Sequence, residues 1–217
     1  MNNLLSFIWP QTRKVNSDYN GVLEITLING RKVLNSKNAN YSFGSLQRIL
    51  EIGLNEFELT NINSILLLGL GGGSVIKSLR DKYKYKGKIV AIEIDAKIIE
   101  IAKEEFSISN TKNLTIINHD AFDFVKNPTH QFDLIIVDLF INNKVPEKFY
   151  STEFCDNLAR IIEEKSSILF NLGMNQESKE KEKLVNNYFN QTLKLETILL
   201  KNILNTNTLL VINKTLV

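Results

Sequence analysis

Short, nearly continuous apolar runs alternate with amphipathic stretches through most of the chain, and this alternation restricts the fold more than any other feature. An apolar run that is buried on both faces is typical of a strand in a parallel sheet covered by helices. Between the runs, apolar residues recur at helical spacing. The predicted strands cover residues 65–68, 88–94, 114–118, 132–138 and 167–171, and the predicted helices cover 74–83, 96–106, a short stretch from 121, 152–163 and 177–190. The sequence therefore predicts an α/β fold with a mostly parallel sheet.

The two ends of the chain depart from this pattern. Residues 193–200 and 208–212 are predicted to form two strands joined by a short polar link, which favours antiparallel pairing. Near the N-terminus, residues 21–34 alternate around Asn29-Gly30, a dipeptide that suits a tight hairpin turn. A helix over 45–54 follows. We expect a small N-terminal β-hairpin segment over 1–43 and an α/β domain over 44–217, with the apolar residues 4–9 packed on the body of the protein.

Composition restricts the partners of the chain. Lys and Arg number 26 against 24 Asp and Glu, so the net charge of +2 gives no electrostatic basis for binding nucleic acid or an anionic membrane. The single cysteine, Cys155, has no intrachain partner for a disulfide, and the two histidines form no cluster with metal-ligand spacing. No apolar stretch approaches the roughly 20 residues of a membrane-spanning helix. We expect a cytoplasmic protein with a small-molecule partner and no bound metal.

Residues 66–75 form a strand that runs straight into a glycine-rich turn before Ser74 opens a helix. Glycines lack Cβ atoms, so they permit a sharp turn and let a ligand lie directly against backbone amide donors. The glycines are Gly69, Gly71, Gly72 and Gly73. Glu93 ends the next strand about 20 residues further on, where its carboxylate can accept hydrogen bonds from both hydroxyls of a ribose. This pattern predicts a bound nucleoside.

An acidic residue also follows the third strand. Asp120 is placed to accept a hydrogen bond from an adenine amino group, with Phe122 beside the ring, and it can also cap the helix that begins at Ala121. Asp95 is interpreted as a helix cap rather than a ligand. A dinucleotide is the first alternative ligand, because the loop approaches the pattern G-x-G-x-x-G/A. Ser74 at the third glycine position, the second acid and the absence of a separate substrate domain favour a single nucleoside.

Together these motifs resemble those of the class I S-adenosylmethionine-dependent methyltransferase superfamily, and in detail those of its spermidine synthase branch. The likeness rests on residues 66–75, 90–95 with the ending E-I-D, 119–121, and 132–138 with D-L-I-I-V-D. It implies a Rossmann-like class I methyltransferase fold, with a mostly parallel seven-stranded sheet whose last strand is antiparallel, and a homodimer. It also implies that S-adenosylmethionine or its decarboxylated form is the cofactor, bound by Gln47, Gly69, Gly71, Gly72, Gly73, Glu93, Ile94, Asp120 and Ala121.

The resemblance also implies a catalytic residue. Asp138 ends the fourth strand and would face the reacting centre, where it orients or deprotonates the nucleophile. Three departures from the family pattern lie near that centre: the polyamine enzymes carry an acid where this chain has Gly72, a second acid in place of Ile141, and a tyrosine in place of Leu46. Glu147 is the nearest acid that could replace the missing one.

These departures spare the nucleoside contacts and affect the groups that would recognise an aminopropyl donor and a diamine. We therefore expect an S-adenosylmethionine-dependent methyltransferase that acts on an unidentified small-molecule acceptor. Polyamine aminopropyl transfer from decarboxylated S-adenosylmethionine is the alternative within the same family. A protein that binds nucleosides without catalysis is the third reading, and a test for turnover separates it from the other two.

Overall fold

A computed structural model of the chain describes residues 3–36, 39–42, 44–127, 130–141, 144–174 and 179–214. The described residues form two sheets. The strands of the first are β1 (Gln11–Ser17), β2 (Gly21–Ile28), β3 (Arg31–Ser36) and β4 (Ala39–Ser42), and those of the second are β5 (Ser64–Leu68), β6 (Lys88–Glu93), β7 (Leu114–Asn118), β8 (Phe132–Val137), β9 (Ile162–Met174), β10 (Glu196–Ile203) and β11 (Asn207–Asn213).

The second sheet has the order β10-β11-β9-β8-β5-β6-β7. Strands β5 to β9 pair in parallel, whereas β11 lies between β9 and β10 and is antiparallel to both. The predicted α/β architecture, with a mostly parallel seven-stranded sheet and an antiparallel last strand, is confirmed. Residues 65–68 of β5 have no solvent exposure, because β5 is central and helices cover both faces.

The helices follow the predicted alternation, with shifted ends. They are α1 (Ser45–Leu54), α2 (Ser74–Lys77), α3 (Ala96–Phe106), α4 (Ala121–Lys126), α5 (Thr152–Ile161) and α6 (Lys179–Asn187), and π-helical turns extend α2 and α6 through Ser78–Lys82 and Tyr188–Thr192. The helix predicted to end at residue 163 stops at Ile161, because β9 begins at the next residue. The strand predicted at 193–200 lies at Glu196–Ile203, since Leu193 still donates its amide to Tyr188 of the π-turn.

Two other features of the helices bear on the predictions. The predicted start of the last helix, Glu177, lies outside the described residues. Within the part of the chain that the structure describes, no helix has both the length and the apolar character needed to cross a membrane.

The predicted N-terminal hairpin is confirmed and belongs to a larger antiparallel sheet. Strands β2 and β3 meet at Asn29 and Gly30, which adopt the positive φ values of 49° and 71°. The sequence pattern missed β1 and β4. Strand β1 is a mostly exposed edge strand of polar residues, so it lacks the apolar alternation by which a strand is recognised. Glu105 of α3 pairs with Arg13 at 2.5 Å and with Lys32 at 2.8 Å, so this sheet also contacts the main domain.

The prediction that residues 4–9 pack on the body of the protein is wrong for their apolar side chains. Only Ser6 is buried: its hydroxyl oxygen accepts the amide of Gly30 at 2.9 Å, and its carbonyl accepts the amide of Asn29 at 3.0 Å. Ile8 is 81% exposed and Trp9 is 76% exposed. The segment is attached to the hairpin turn through these hydrogen bonds and through the ring of Phe7, which lies beside Gly30.

Candidate functional site

A cavity of about 320 Å³ lies at the carboxyl ends of the parallel strands, where ligands bind in open α/β sheets. The strand order divides its wall into two halves. The first half, over β5 to β7, is formed by Gly69, Gly71, Glu93, Ile94, Asp120 and Ala121; the second, over β8 to β11 and the start of α1, includes Leu46, Asp138, Phe140, Ile141, Met174 and Asn207. Of the described residues, no three His, Cys, Asp or Glu side chains are grouped closely enough to hold a metal ion.

Two glycines of the loop after β5, Gly69 and Gly73, lie where a side chain would not fit. Gly69 has a φ of +96°, and a Cβ there would overlap the carbonyl oxygen of Asp138. Gly73 has a φ of +82°, and its Cβ would lie 2.5 Å from Cγ1 of Ile108. Gly69 and Gly71 line the cavity, whereas Gly72 and Gly73 are not among its lining residues. The glycines therefore let the loop pass close to β8 and α3, and two of the four present backbone to a ligand.

Glu93 is a buried carboxylate at the end of β6. Its Oε2 accepts the amides of Leu70 at 3.1 Å and Gly71 at 3.3 Å, and its Oε1 accepts the amide of Asp95 at 3.0 Å. Burial raises its pKa to about 7, although these three amides act in the opposite direction. Glu93 thus organises the glycine loop and also presents a carboxylate to the cavity.

Asp95 caps helix α3, as predicted, through a hydrogen bond from the Lys97 amide at 2.9 Å. Its second oxygen accepts hydrogen bonds from the Ser17 hydroxyl and, at 3.1 Å, from the Asn20 side chain. Ser17 ends β1, and Asn20 lies in the turn between β1 and β2. Asp95 therefore links the N-terminal sheet to Glu93, which accepts the backbone amide of Asp95.

Asp120 both caps helix α4 and lines the cavity. Its Oδ1 accepts the amides of Phe122 at 2.7 Å and Asp123 at 3.4 Å, and its Oδ2 accepts Nζ of Lys148 at 2.6 Å. Burial acts to raise the pKa of Asp120, but Lys148 and the backbone donors outweigh it and hold the pKa below its usual value. An adenine amino group bound here must share Asp120 with Lys148, a lining residue that belongs to none of the sequence motifs.

Asp138 follows β8 and faces the second half of the cavity. Its Oδ1 accepts Nδ2 of Asn171 at 2.9 Å. Burial raises its pKa to about 6, and the hydrogen bond from Asn171 opposes this rise. Neither Asn171 nor Asn207 was predicted from the sequence. Asn171 could have been, because it is a polar residue at the end of the predicted strand 167–171, as Glu93 is at the end of its strand.

Gln47, which the resemblance implies as a cofactor contact, and Glu147, the acid that could replace the missing carboxylate, are not among the residues that line the cavity. Gln47 donates to Ser78 at 2.8 Å and to Glu51 at 3.3 Å, so its side chain faces α2 while its neighbour Leu46 lines the wall. Glu147 pairs with Lys181, and its side chain is 79% exposed. The structure therefore separates Gln47 from the other predicted nucleoside contacts, and Glu147 does not supply a second carboxylate.

The strand order, the inserted antiparallel strand and the ligand-binding edge are those of the class I S-adenosylmethionine-dependent methyltransferase fold. A probable spermidine synthase from Corynebacterium glutamicum superposes with a TM-score of 0.69 at 18% identity, over 94% of this chain and 77% of that one. Human methyltransferase-like protein 13, solved in complex with SAH, superposes with a TM-score of 0.62 at 20% identity, over 78% and 82%. These structures establish the fold class.

Sequence comparison assigns the chain to one family within this fold class. The family model described as the spermine/spermidine synthase domain matches residues 47–208, and the chain belongs to that family. A polyamine aminopropyltransferase from Saccharolobus solfataricus is 32% identical over 113 residues, which are 49% of this chain and 37% of the relative. An eEF1A lysine and N-terminal methyltransferase homolog from Drosophila melanogaster is 28% identical over 131 residues, 56% of this chain and 19% of that protein. The chain thus matches well under half the length of these relatives.

Proposed function

We propose that this chain transfers an aminopropyl group from decarboxylated S-adenosylmethionine to an amine. The observation that carries the proposal is the placement of Asp138 in one cavity with Glu93 and the glycine loop. Several relatives are polyamine aminopropyltransferases, which favours this reaction over the methyl transfer preferred from the sequence alone. The family domain includes every residue of the cavity wall except Ser45 and Leu46.

The first half of the cavity fits the nucleoside part of such a donor. Glu93 offers carboxylate lone pairs to two ribose hydroxyls, and hydrogen bonds to an ionised acceptor contribute about 1.5 to 3 kcal/mol each. Gly69 and Gly71 leave room for the sugar against the backbone. Asp120 accepts from the adenine amino group, with Lys148 beside it. The donor supplies a carbon made electrophilic by a neighbouring sulfonium.

The second half fits the acceptor. An amine is protonated in neutral water, so it must lose a proton before its lone pair can attack carbon. Asp138 is a carboxylate whose raised pKa of about 6 makes it a better proton acceptor than an exposed aspartate. Asp138 first takes a proton from the ammonium nitrogen. The freed lone pair then forms the carbon–nitrogen bond as the carbon–sulfur bond breaks, the sulfur leaves as a neutral thioether, and the product nitrogen carries the positive charge. The protein otherwise acts by aligning donor and acceptor.

Methyl transfer from S-adenosylmethionine is the second candidate. The wall around Asp138 is largely apolar: Leu46, Phe140, Ile141, Pro146 and Met174 line it, and Asp138 is its one carboxylate among the described residues. Such a wall suits the body of an acceptor with one charged end. The Drosophila methyltransferase relative is in line with this reading.

The test is a transfer assay with both donors. The protein is incubated with decarboxylated S-adenosylmethionine or S-adenosylmethionine, each labelled in the transferable group, and with pools of mono-, di- and polyamines, and the products are identified by mass spectrometry. We expect an aminopropylated amine. The Asp138→Asn variant should bind 5′-methylthioadenosine normally and lose most of the transfer. Donor binding without transfer to any acceptor would instead support a nucleoside-binding protein, and binding of NAD in preference to either donor would contradict the proposal.

A further inference from the structure

Strand β9 carries a bulge opposite β11. Asn171 pairs with Leu209 and Met174 with Asn207, so Leu172 and Gly173 together face a single residue of β11. Gly173 has a φ of +93°, a conformation that an L side chain rarely adopts. The bulge turns the amide of Gly173 out of the ladder, and this amide donates to Oδ1 of Asn171 at 3.2 Å. Bulges beside a site commonly re-aim a side chain in this way.

The bulge and Asn207 fix the orientation of the Asn171 carboxamide. This side chain has no solvent exposure. Its Oδ1 also accepts Nδ2 of Asn207 at 3.0 Å, and its Nδ2 donates to Oδ1 of Asp138 at 2.9 Å. If the amide rotated by half a turn, its NH₂ group would face two donors and its oxygen would face a carboxylate. Only the observed orientation satisfies all three neighbours.

We propose that Asn171, held by the β9 bulge and by Asn207, is a positioning residue that occupies Oδ1 of Asp138 and leaves Oδ2 to take the proton of the acceptor. Oδ2 accepts no hydrogen bond from the described residues, and Asp138 is part of the cavity wall. The role in proton transfer rests on the proposed function. The control of Asp138 by Asn171 does not, because it can be measured in the free protein.

Removal of the Asn171 donor should raise the pKa of Asp138. The hydrogen bond stabilises the ionised form of Asp138, so its loss lets burial raise the pKa further. The other titratable groups among the described residues of the cavity wall, Glu93, Asp120 and Lys148, lie in or beside the first half; β9, β11 and α1 contribute none to the wall. Asp138 would then stay protonated at higher pH, and a protonated carboxyl cannot accept the proton of an amine.

The first experiment follows the carboxyl carbon of Asp138 by NMR as a function of pH, in protein labelled with ¹³C-aspartate, with the signal assigned by its absence in Asp138→Asn. We expect Asn171→Leu to increase the proton affinity of Asp138 about tenfold, since a hydrogen bond to an ionised group is lost. Asn207→Leu removes one of the two donors that orient Asn171. It should also increase the proton affinity of Asp138, but by less than Asn171→Leu does. Asn157→Leu replaces another buried asparagine, on α5 and outside the cavity wall, and should leave the titration unchanged.

The outcomes are separable. If Asp138 titrates identically in the natural protein and in Asn171→Leu, the inference is wrong; if Asn171→Leu does not fold, Asn207→Leu gives the same test. Affinity for 5′-methylthioadenosine should stay within about twofold in each variant, because the nucleoside contacts lie in the other half. In the transfer assay, the acidic limb of the kcat profile should move to higher pH in Asn171→Leu, and an unmoved limb would overturn the role in proton transfer. Absence of transfer in the natural protein would refute the proposed function and leave the NMR result standing.

Discussion

Affinity for a nucleoside should depend on pH through Glu93. This carboxyl is buried at the end of β6, and its pKa is raised to about 7. The hydroxyls of a bound ribose donate to it, and they do so best when both of its oxygens are free of a proton. The ligand therefore prefers the ionised form. The pKa of Glu93 is higher than that of an exposed glutamate. Protonation of Glu93 therefore competes with ligand binding at pH values where exposed carboxylates are fully ionised.

The size of the effect follows from the pKa. At about pH 5.5, a group with a pKa of about 7 is ionised in only about 3% of molecules, so affinity should fall about 30-fold below its plateau, or about 2 kcal/mol. Affinity should rise as pH increases and level off above about pH 8. Asp120 adds nothing in this range, because its pKa is held below its usual value and it stays ionised.

The assay is calorimetric titration with 5′-methylthioadenosine, which has the adenine and ribose but no sulfonium charge and no amino tail, so it makes no ionic contact with Asp138. Asp138→Asn should keep the pH dependence, since Glu93 is intact. Glu93→Gln should bind weakly and equally at every pH, because it has one acceptor oxygen and no titratable proton. Constant affinity between about pH 5.5 and 8.5 in the natural protein would refute the reasoning, as would loss of the pH dependence in Asp138→Asn.

Three further predictions follow from the same geometry. Asp120→Asn keeps an acceptor for the helix cap but loses the charge, so calorimetry should show about tenfold weaker nucleoside binding with little change in Tm; unchanged affinity would leave Asp120 with the cap alone. The natural protein should transfer the aminopropyl group to putrescine slowly, at below about 1 per second. The rate for Ile141→Glu should be at least about tenfold higher than that for its neutral control, Ile141→Gln, and equal rates would contradict a role for a second carboxylate. In denaturant titrations Gly69→Ala should lose at least about 2 kcal/mol more stability than Gly21→Ala, because both have positive φ but only Gly69 would clash, with the backbone of β8.

Much of the first half of the cavity is predictable because its signals are local. An apolar strand, the glycine turn and an acid at the next strand end lie within about 30 residues, and parallel strands bring their carboxyl ends to one edge. The same reasoning identified Asp95 as a helix cap. No such local signal exists for Gln47, which only the family resemblance implied, because the direction of a helical side chain depends on what the helix packs against. Here the π-turn after α2 offers Ser78 as a partner to Gln47, whereas the preceding residue of α1, Leu46, lines the cavity.

The side-chain partners of these acids could not be predicted in the same way. Lys148 reaches Asp120 from the segment that follows β8, and Asn171 meets Asp138 only because β9 lies beside β8. Asn207 joins them because β11 lies antiparallel beside β9, as predicted, and because β9 bulges at Gly173, which no local pattern of residues indicates.

The sequence alone determined the alternation of strands and helices, the glycine turn and the acids at three strand ends. Hydrophobic periodicity and the absence of a Cβ atom act within a few residues, so both can be identified in the sequence without knowledge of the tertiary structure. The tertiary structure decided which partners each acid has and hence their proton affinities. Burial raises the pKa of Glu93 and of Asp138, whereas the ion pair with Lys148 and the backbone donors lower that of Asp120.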